Sequence, residues 1–179
     1  MALKLDGQDL SGRAGELDEA RLLNCDLSRA DIPSMREAQL TGCTLKEAKV
    51  ASLHGAVLSG CDLERAHLEG ADLEGAQIDA CGFRRTELAR SRWNRARVTG
   101  TVFRQVLLIA AELGGAVFED CDFRGSDLRD ARLAGATFRR CDFTDVDFTG
   151  APLEAATVEA STFKDARGLR PRSDRSTKA

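Results

Sequence analysis

The sequence predicts an all-β solenoid of four-sided coils, and three observations carry that prediction. Every fifth residue from Leu58 to Phe163 is a large apolar side chain, 22 units without a gap. The residue two before it is nearly always small, as in Ala56, Cys61, Ala66 and Ala71. Cys61, Cys81, Cys121 and Cys141 all take that small position and differ by multiples of 20, with Thr101 and Ser161 at the vacant steps. A period of five fits neither the 3.6 of a helix nor the 2.0 of a half-buried strand. It marks a repeat architecture, in which no unit buries its apolar side chain without its neighbours.

Each element follows in order. With the large apolar residue called i, a repeat of 20 is four units of five, so each unit supplies one side and residues 20 apart stack. Residues 1–14 read as an N-terminal cap or first strand, 15–167 as the solenoid and 168–179 as a basic, disordered tail broken by Pro171. In the N-terminal third Cys25, Cys43 and Cys61 differ by 18. One side of each coil is shortened there, between Met35 and Ala38 and between Leu53 and Ala56; taking Met35 and Leu53 as i−2 positions restores four sides. All eight phenylalanines and Trp93 fall at i and are expected inside, where truncation to alanine costs about 3–5 kcal/mol each. About eight coils at the strand spacing of ~4.8 Å give a rod roughly 38 Å long.

The units Ala71-Asp72-Leu73-Glu74-Gly75 and Cys121-Asp122-Phe123-Arg124-Gly125 resemble those of the pentapeptide-repeat family. The resemblance covers residues 15–167. It implies a right-handed quadrilateral β-helix with i and i−2 inside and the other three positions outside.

The chemistry-bearing residues are few. There is no tyrosine, one tryptophan and two histidines, His54 and His67, both expected outward without an acid partner or a ligand-like cluster. The cysteine ladder reads as packing: its position accepts Thr101 and Ser161, no C-x-x-C occurs, and stacked sulfurs lie about one coil apart, ~4.8 Å. No Cys/His pair, paired acid or phosphate loop emerges, and a filled solenoid has no pocket. The sequence therefore reads as a non-enzyme without metal or cofactor. No run of about 18 apolar residues spans a membrane. No export signal is legible, so reduced thiols in the cytoplasm are expected.

Charge is distributed unevenly along the axis. Residues 1–80 carry a net −7, 81–110 a net +6, 111–163 a net −6, and the segment from Lys164 a net +4. The positive band is Arg84, Arg85, Arg90, Arg92, Arg95, Arg97 and Arg104. Beside it Val102, Leu107 and Ile109 are forced outward, three clustered aliphatics that suggest a homodimer seam or partner site. A local bulge turning some of them inward is the alternative. Aspartates recur at i−1, where Asp bonds turn backbone groups and also builds a negative surface. Those expected to meet a partner are Asp62, Asp72, Asp122, Asp127, Asp142 and Asp147.

Within the family that the units resemble, the best understood group protects bacterial type II topoisomerases from poisons by imitating DNA. The resemblance therefore implies a protein partner, DNA gyrase or topoisomerase IV, and no direct contact with nucleic acid. Such mimicry needs carboxylates on one continuous face. The alternative is a general protein-interaction scaffold using the Arg84–Arg104 belt and the Val102, Leu107 and Ile109 cluster.

Overall fold

The computed structural model describes residues 3–169. Its strands are β1 (Lys4–Asp6), β2 (Arg21–Leu23), β3 (Asp31–Ile32), β4 (Gln39–Thr41), β5 (Lys49–Val50), β6 (Val57–Ser59), β7 (Gln77–Asp79), β8 (Arg97–Thr99), β9 (Val117–Glu119), β10 (Thr137–Arg139) and β11 (Thr157–Glu159). Nine of them form one parallel sheet in the order β1-β2-β4-β6-β7-β8-β9-β10-β11, the first side of the solenoid. Nine stacked strands make eight coil steps, as expected from the period of 20. The other three sides are too short for strands, apart from the pair β3–β5, and are held by parallel single-residue bridges. The N-terminal residues already belong to the first coil: β1 pairs with β2 and Asp9 bridges to Asp26. Of the tail, residues 170–179 lie outside the described residues.

The five-residue unit works because each of its positions has one job. The i−2 and i side chains point inward and are nearly all fully covered; i−1, i+1 and i+2 point out. The i+2 residue closes the corner in the left-handed region, for instance Arg85 at φ 56° and Ala110 at φ 55°. That conformation costs a non-glycine residue about 1–2 kcal/mol. It is held because the corner N–H groups up to Asp145 find the next coil's carbonyl, as Arg85 does with Arg104 at 3.1 Å.

The shortened coils differ from the expected assignment. Leu22 pairs with Leu40 and Leu40 with Leu58, steps of 18, whereas Leu58 pairs with Ile78, a step of 20. The Leu53 N–H donates to the Asp72 carbonyl and the Ala56 N–H to the Leu53 carbonyl, the pattern made elsewhere by an i residue such as Leu63. Met35 and Leu53 are therefore large inward i positions, fully buried, and not i−2 positions. What is missing is the two-residue corner before them. Deleting a solvent-facing corner leaves the core ladder intact, whereas a large residue at i−2 would overfill it.

The core changes character along the rod. The N-terminal coils are filled by Leu, Ile, Val and Met; from Phe83 onward rings stack along the second side, with centroids 5.0 Å apart for Phe83–Phe103, 4.8 Å for Phe103–Phe123 and 5.1 Å for Phe123–Phe143. Trp93 sits against Phe83, Phe103 and Phe118. Phe163 is only half-buried, because among the described residues no further coil stacks on the last one, and the fourth side ends in a 3-10 turn at Leu153–Ala155. The full truncation cost expected for every phenylalanine thus does not extend to Phe163.

Candidate functional site

The outward i−1 residues stack into ladders that decide which charges meet. On the second side the ladder runs Asp62, Gly82, Val102, Asp122, Asp142; on the third, His67, Glu87, Leu107, Asp127, Asp147; on the fourth, Ser52, Asp72, Arg92, Glu112, Arg132. The six candidate aspartates are thus divided among three sides, and no single continuous acidic face contains them all. A period of five sets which residues are outward, but only the count of four sides per coil says which of them share a face.

Most of these carboxylates are compensated. Asp62 meets Lys46 at 3.0 Å, Asp72 meets Arg92 at 3.1 Å, Asp122 meets Arg104 at 2.6 Å and Arg124 at 2.8 Å, and Asp127 meets Arg129 at 2.7 Å. Asp142 lies 3.6 Å from Arg124, and Asp147 accepts the Thr149 amide at 2.9 Å. Several also close a local turn, Asp122 Oδ1 accepting the Arg124 N–H at 3.1 Å. Turn chemistry and charge surface are therefore the same residues.

Four of the six nonetheless gather in one place. Asp122 and Asp142 are successive rungs of the second side, and Asp127 and Asp147 successive rungs of the adjoining third. The arginines, by contrast, encircle the rod: Arg84, Arg85 and Arg104 on the second side, Arg90 at the end of the third, Arg92 and Arg95 on the fourth, and Arg97 in β8 on the first.

The aliphatic cluster is regular backbone, with no bulge: Val102 bridges Gly82 and Asp122, and Leu107 bridges Glu87 and Asp127. All three side chains point outward as expected. Only Leu107 is well exposed, at 44%, while Val102 and Ile109 are half-covered by neighbouring coils. The three also straddle two sides. They offer far less apolar surface than the ~800 Å² per partner of a standard interface.

Both histidines have the acid partner that sequence alone did not reveal. His67 Nδ1 lies 2.8 Å from Glu87 Oε2, and His54 Nδ1 lies 3.4 Å from Asp72 Oδ2. Each pair spans one coil, so it shows only once the coil length is known; across the shortened coil His54 and Asp72 are 18 apart. His54, Asp72 and Glu74 bring ligand-type atoms within 4.8 Å of one another, a cluster not expected from the sequence. Its negative charge is already met by arginine, Arg92 on Asp72 and Arg95 on Glu74 at 3.0 Å. The arrangement is that of an ion-pair knot.

Burial alone would push the Asp72 carboxyl upward, but the Glu74 amide and the Arg92 guanidinium outweigh it and hold Asp72 below its ordinary range. A lowered folded-state pKa adds stability that is complete above the unfolded value of about 3.9 and lost as pH falls through the folded value. Asp72→Asn is therefore expected to lower the thermal midpoint near neutral pH, with the difference from wild type shrinking as pH falls below the unfolded value of about 3.9. Thermal unfolding of both proteins across pH checks this.

These repeat units match the sequence profile of Pentapeptide repeats, in 8 copies, over residues 51–85, 81–125 and 121–159. The chain belongs to the pentapeptide-repeat family. No curated protein matches it by sequence. Among solved pentapeptide-repeat structures it is similar to HetL, involved in heterocyst differentiation regulation in the cyanobacterium Nostoc, with 21% identity over 92% of this chain and 84% of HetL at a TM-score of 0.37. It is likewise similar to full-length QnrB1, a plasmid-mediated fluoroquinolone resistance protein, with 20% identity over 90% of this chain and 91% of QnrB1 at a TM-score of 0.31. A third is a protein of the Arabidopsis thaliana thylakoid lumen, with 26% identity over 71% of this chain and 69% of that one at a TM-score of 0.23. The family assignment rests on the repeat match; the roles of these three proteins do not transfer. Among the described residues no helix is long and apolar enough to cross a membrane.

The cysteines of this pentapeptide-repeat chain are all buried and free. Cys121 Sγ points to the Glu119 carbonyl at 3.3 Å, as Thr101 Oγ1 does to Thr99 at 2.9 Å, so thiol and hydroxyl do the same work in one ladder. Contact with the Cys61 sulfur, then burial, pushes Cys43 far above the usual thiol range. Cys61 is pushed up to about 12, the Cys43 sulfur pulling it down but the Cys81 sulfur and burial prevailing. Cys81 and Cys141 are shifted the other way, below the usual thiol range, by the neighbouring Cys61 and Cys121 sulfurs, so it is burial, common to all six, that keeps reagents from them. The native protein is expected to be inert to Ellman's reagent and to release all six thiols on unfolding, a direct titration.

Proposed function

We propose that the protein is a non-catalytic binding protein whose partner is a type II topoisomerase, DNA gyrase first, and that its acidic C-terminal third occupies the enzyme's DNA site in place of phosphates, protecting it from poisons. The single observation carrying this reading is the joined pair of rungs Asp122/Asp142 and Asp127/Asp147 on adjacent sides. Parallel stacking fixes their spacing at about one coil, ~4.8 Å, without any cost at the moment of binding. Asp62 and Asp72 are left out of it. Each lies on a different stretch of the rod, and each is paired with a base.

Under this reading the arginine belt flanks the mimicking surface. Arg104 and Arg124 lower its charge through Asp122, so the contact is salt-sensitive but moderate. Competition is the test: immobilised gyrase should capture the protein, and duplex DNA should displace it. Capture that duplex DNA leaves unchanged would favour the scaffold reading, in which a protein partner meets the belt and Leu107.

A further inference from the structure

The belt arginines fall into two sets. Arg90, Arg92 and Arg95 each reach back to an acid of the preceding coil, Glu69, Asp72 and Glu74, and Arg104 reaches forward to Asp122. Among the described residues Arg84, Arg85 and Arg97 meet no carboxylate; Arg85 Nε donates only to Gln105 Oε1, at 3.0 Å. The ion-pair explanation of the belt therefore leaves three arginines over, and two of them are neighbours.

Those two open onto a groove of about 600 Å³ at the end of the second side. Arg84, Arg104 and Arg124 take the same corner position in three successive coils, a file of positions with a rise of about one coil, ~4.8 Å, in which Arg104 and Arg124 also hold Asp122 while Arg84 is free of any carboxylate among the described residues. Glu64 stands one coil before the file and Asp145 one coil after it, closing its two ends with negative charge. The lining contains neither an aromatic nor an aliphatic side chain. A base has nothing to stack on, and an apolar ligand nothing to desolvate against.

We propose that this groove binds a linear oligophosphate chain, free or as the triphosphate of a nucleotide. Guanidinium forks bind phosphate oxygens in pairs, and a phosphate chain carries charge on every unit with freely turning links. An extended acidic peptide fits less well. Its side chains alternate between faces, so only every second one, about 6.6–6.8 Å apart, meets a file of ~4.8 Å rise. The site does not rest on the topoisomerase reading, although the two surfaces meet where Arg104 and Arg124 hold Asp122.

The test is calorimetric titration of the full chain, in metal-free buffer, with orthophosphate, pyrophosphate, tripolyphosphate and ATP, and with a tetraglutamate peptide. The expected result is saturable binding that strengthens from orthophosphate to tripolyphosphate and weakens with salt. It should fall at least tenfold in R84Q/R85Q and stay unchanged in R97Q, which removes the third free arginine outside the groove. R84K/R85K, which keeps the charge but not the fork, should also bind more weakly; it serves as the test if the glutamine variant fails to fold. ATP binding equal to tripolyphosphate identifies the chain as the shared determinant, and weaker ATP binding points to the free chain. No binding at low salt, an equal loss in R97Q, tighter binding of the peptide, or ATP binding far above tripolyphosphate would each overturn the proposal.

Discussion

Phe123→Ala is expected to destabilise the solenoid by about 3–5 kcal/mol, a large part of the roughly 5–15 kcal/mol that keeps a domain folded. Phe123 is fully buried and touches four rings: it stacks on Phe103 and Phe143 at 4.8 and 5.1 Å, and meets Phe118 and Phe138 edge-on at 5.5 and 6.1 Å. Its loss opens a hole inside the rod, with coils stacked on both sides, that neither neighbour can fill, because parallel backbone pairing fixes the coil spacing. Phe163→Ala, at the half-buried last coil, should cost markedly less. Denaturant unfolding of the two variants checks both the magnitude and the contrast. Equal costs would contradict a core that is closed in the middle and open at its end.

The combined Asp122→Asn, Asp142→Asn, Asp127→Asn and Asp147→Asn variant is expected to lose topoisomerase binding at least tenfold while remaining folded. Asparagine keeps the turn acceptor that these residues supply to the amide two positions on, as Asp147 does for Thr149. It removes only the charge. The matched control is Asp72→Asn, on the fourth side and outside the surface, which should bind as wild type does. Pull-down at two salt concentrations, with thermal unfolding alongside, separates lost recognition from lost structure.

How much of this was legible beforehand depends on the length of the signal. Twenty-two units in phase fix which residues are inward and how many sides a coil has, and the structure agrees from Leu58 onward. At Met35 and Leu53 spacing alone shows that two residues are missing and not which two; the backbone pairing of Leu53 with Asp72 decides it. Surface meaning was harder to read. The period of 20 already puts Asp72 and Asp122 on different sides, but which bases neutralise them depends on where the side chains reach. The acid partners of His54 and His67 are 18 and 20 residues away, and Arg90 finds Glu69 21 residues back, so these pairs are invisible to any local reading. The groove at Arg84 and Arg85 appears only by subtraction, once the paired arginines are known.

The most direct test of the account is a supercoiling assay: purified protein added to DNA gyrase with a cleavage-stabilising poison, reading supercoiled and cleaved DNA together. Restored supercoiling and less cleaved DNA are expected at protein concentrations near that of the enzyme. No protection against several poisons, with the protein shown to be folded, would contradict it.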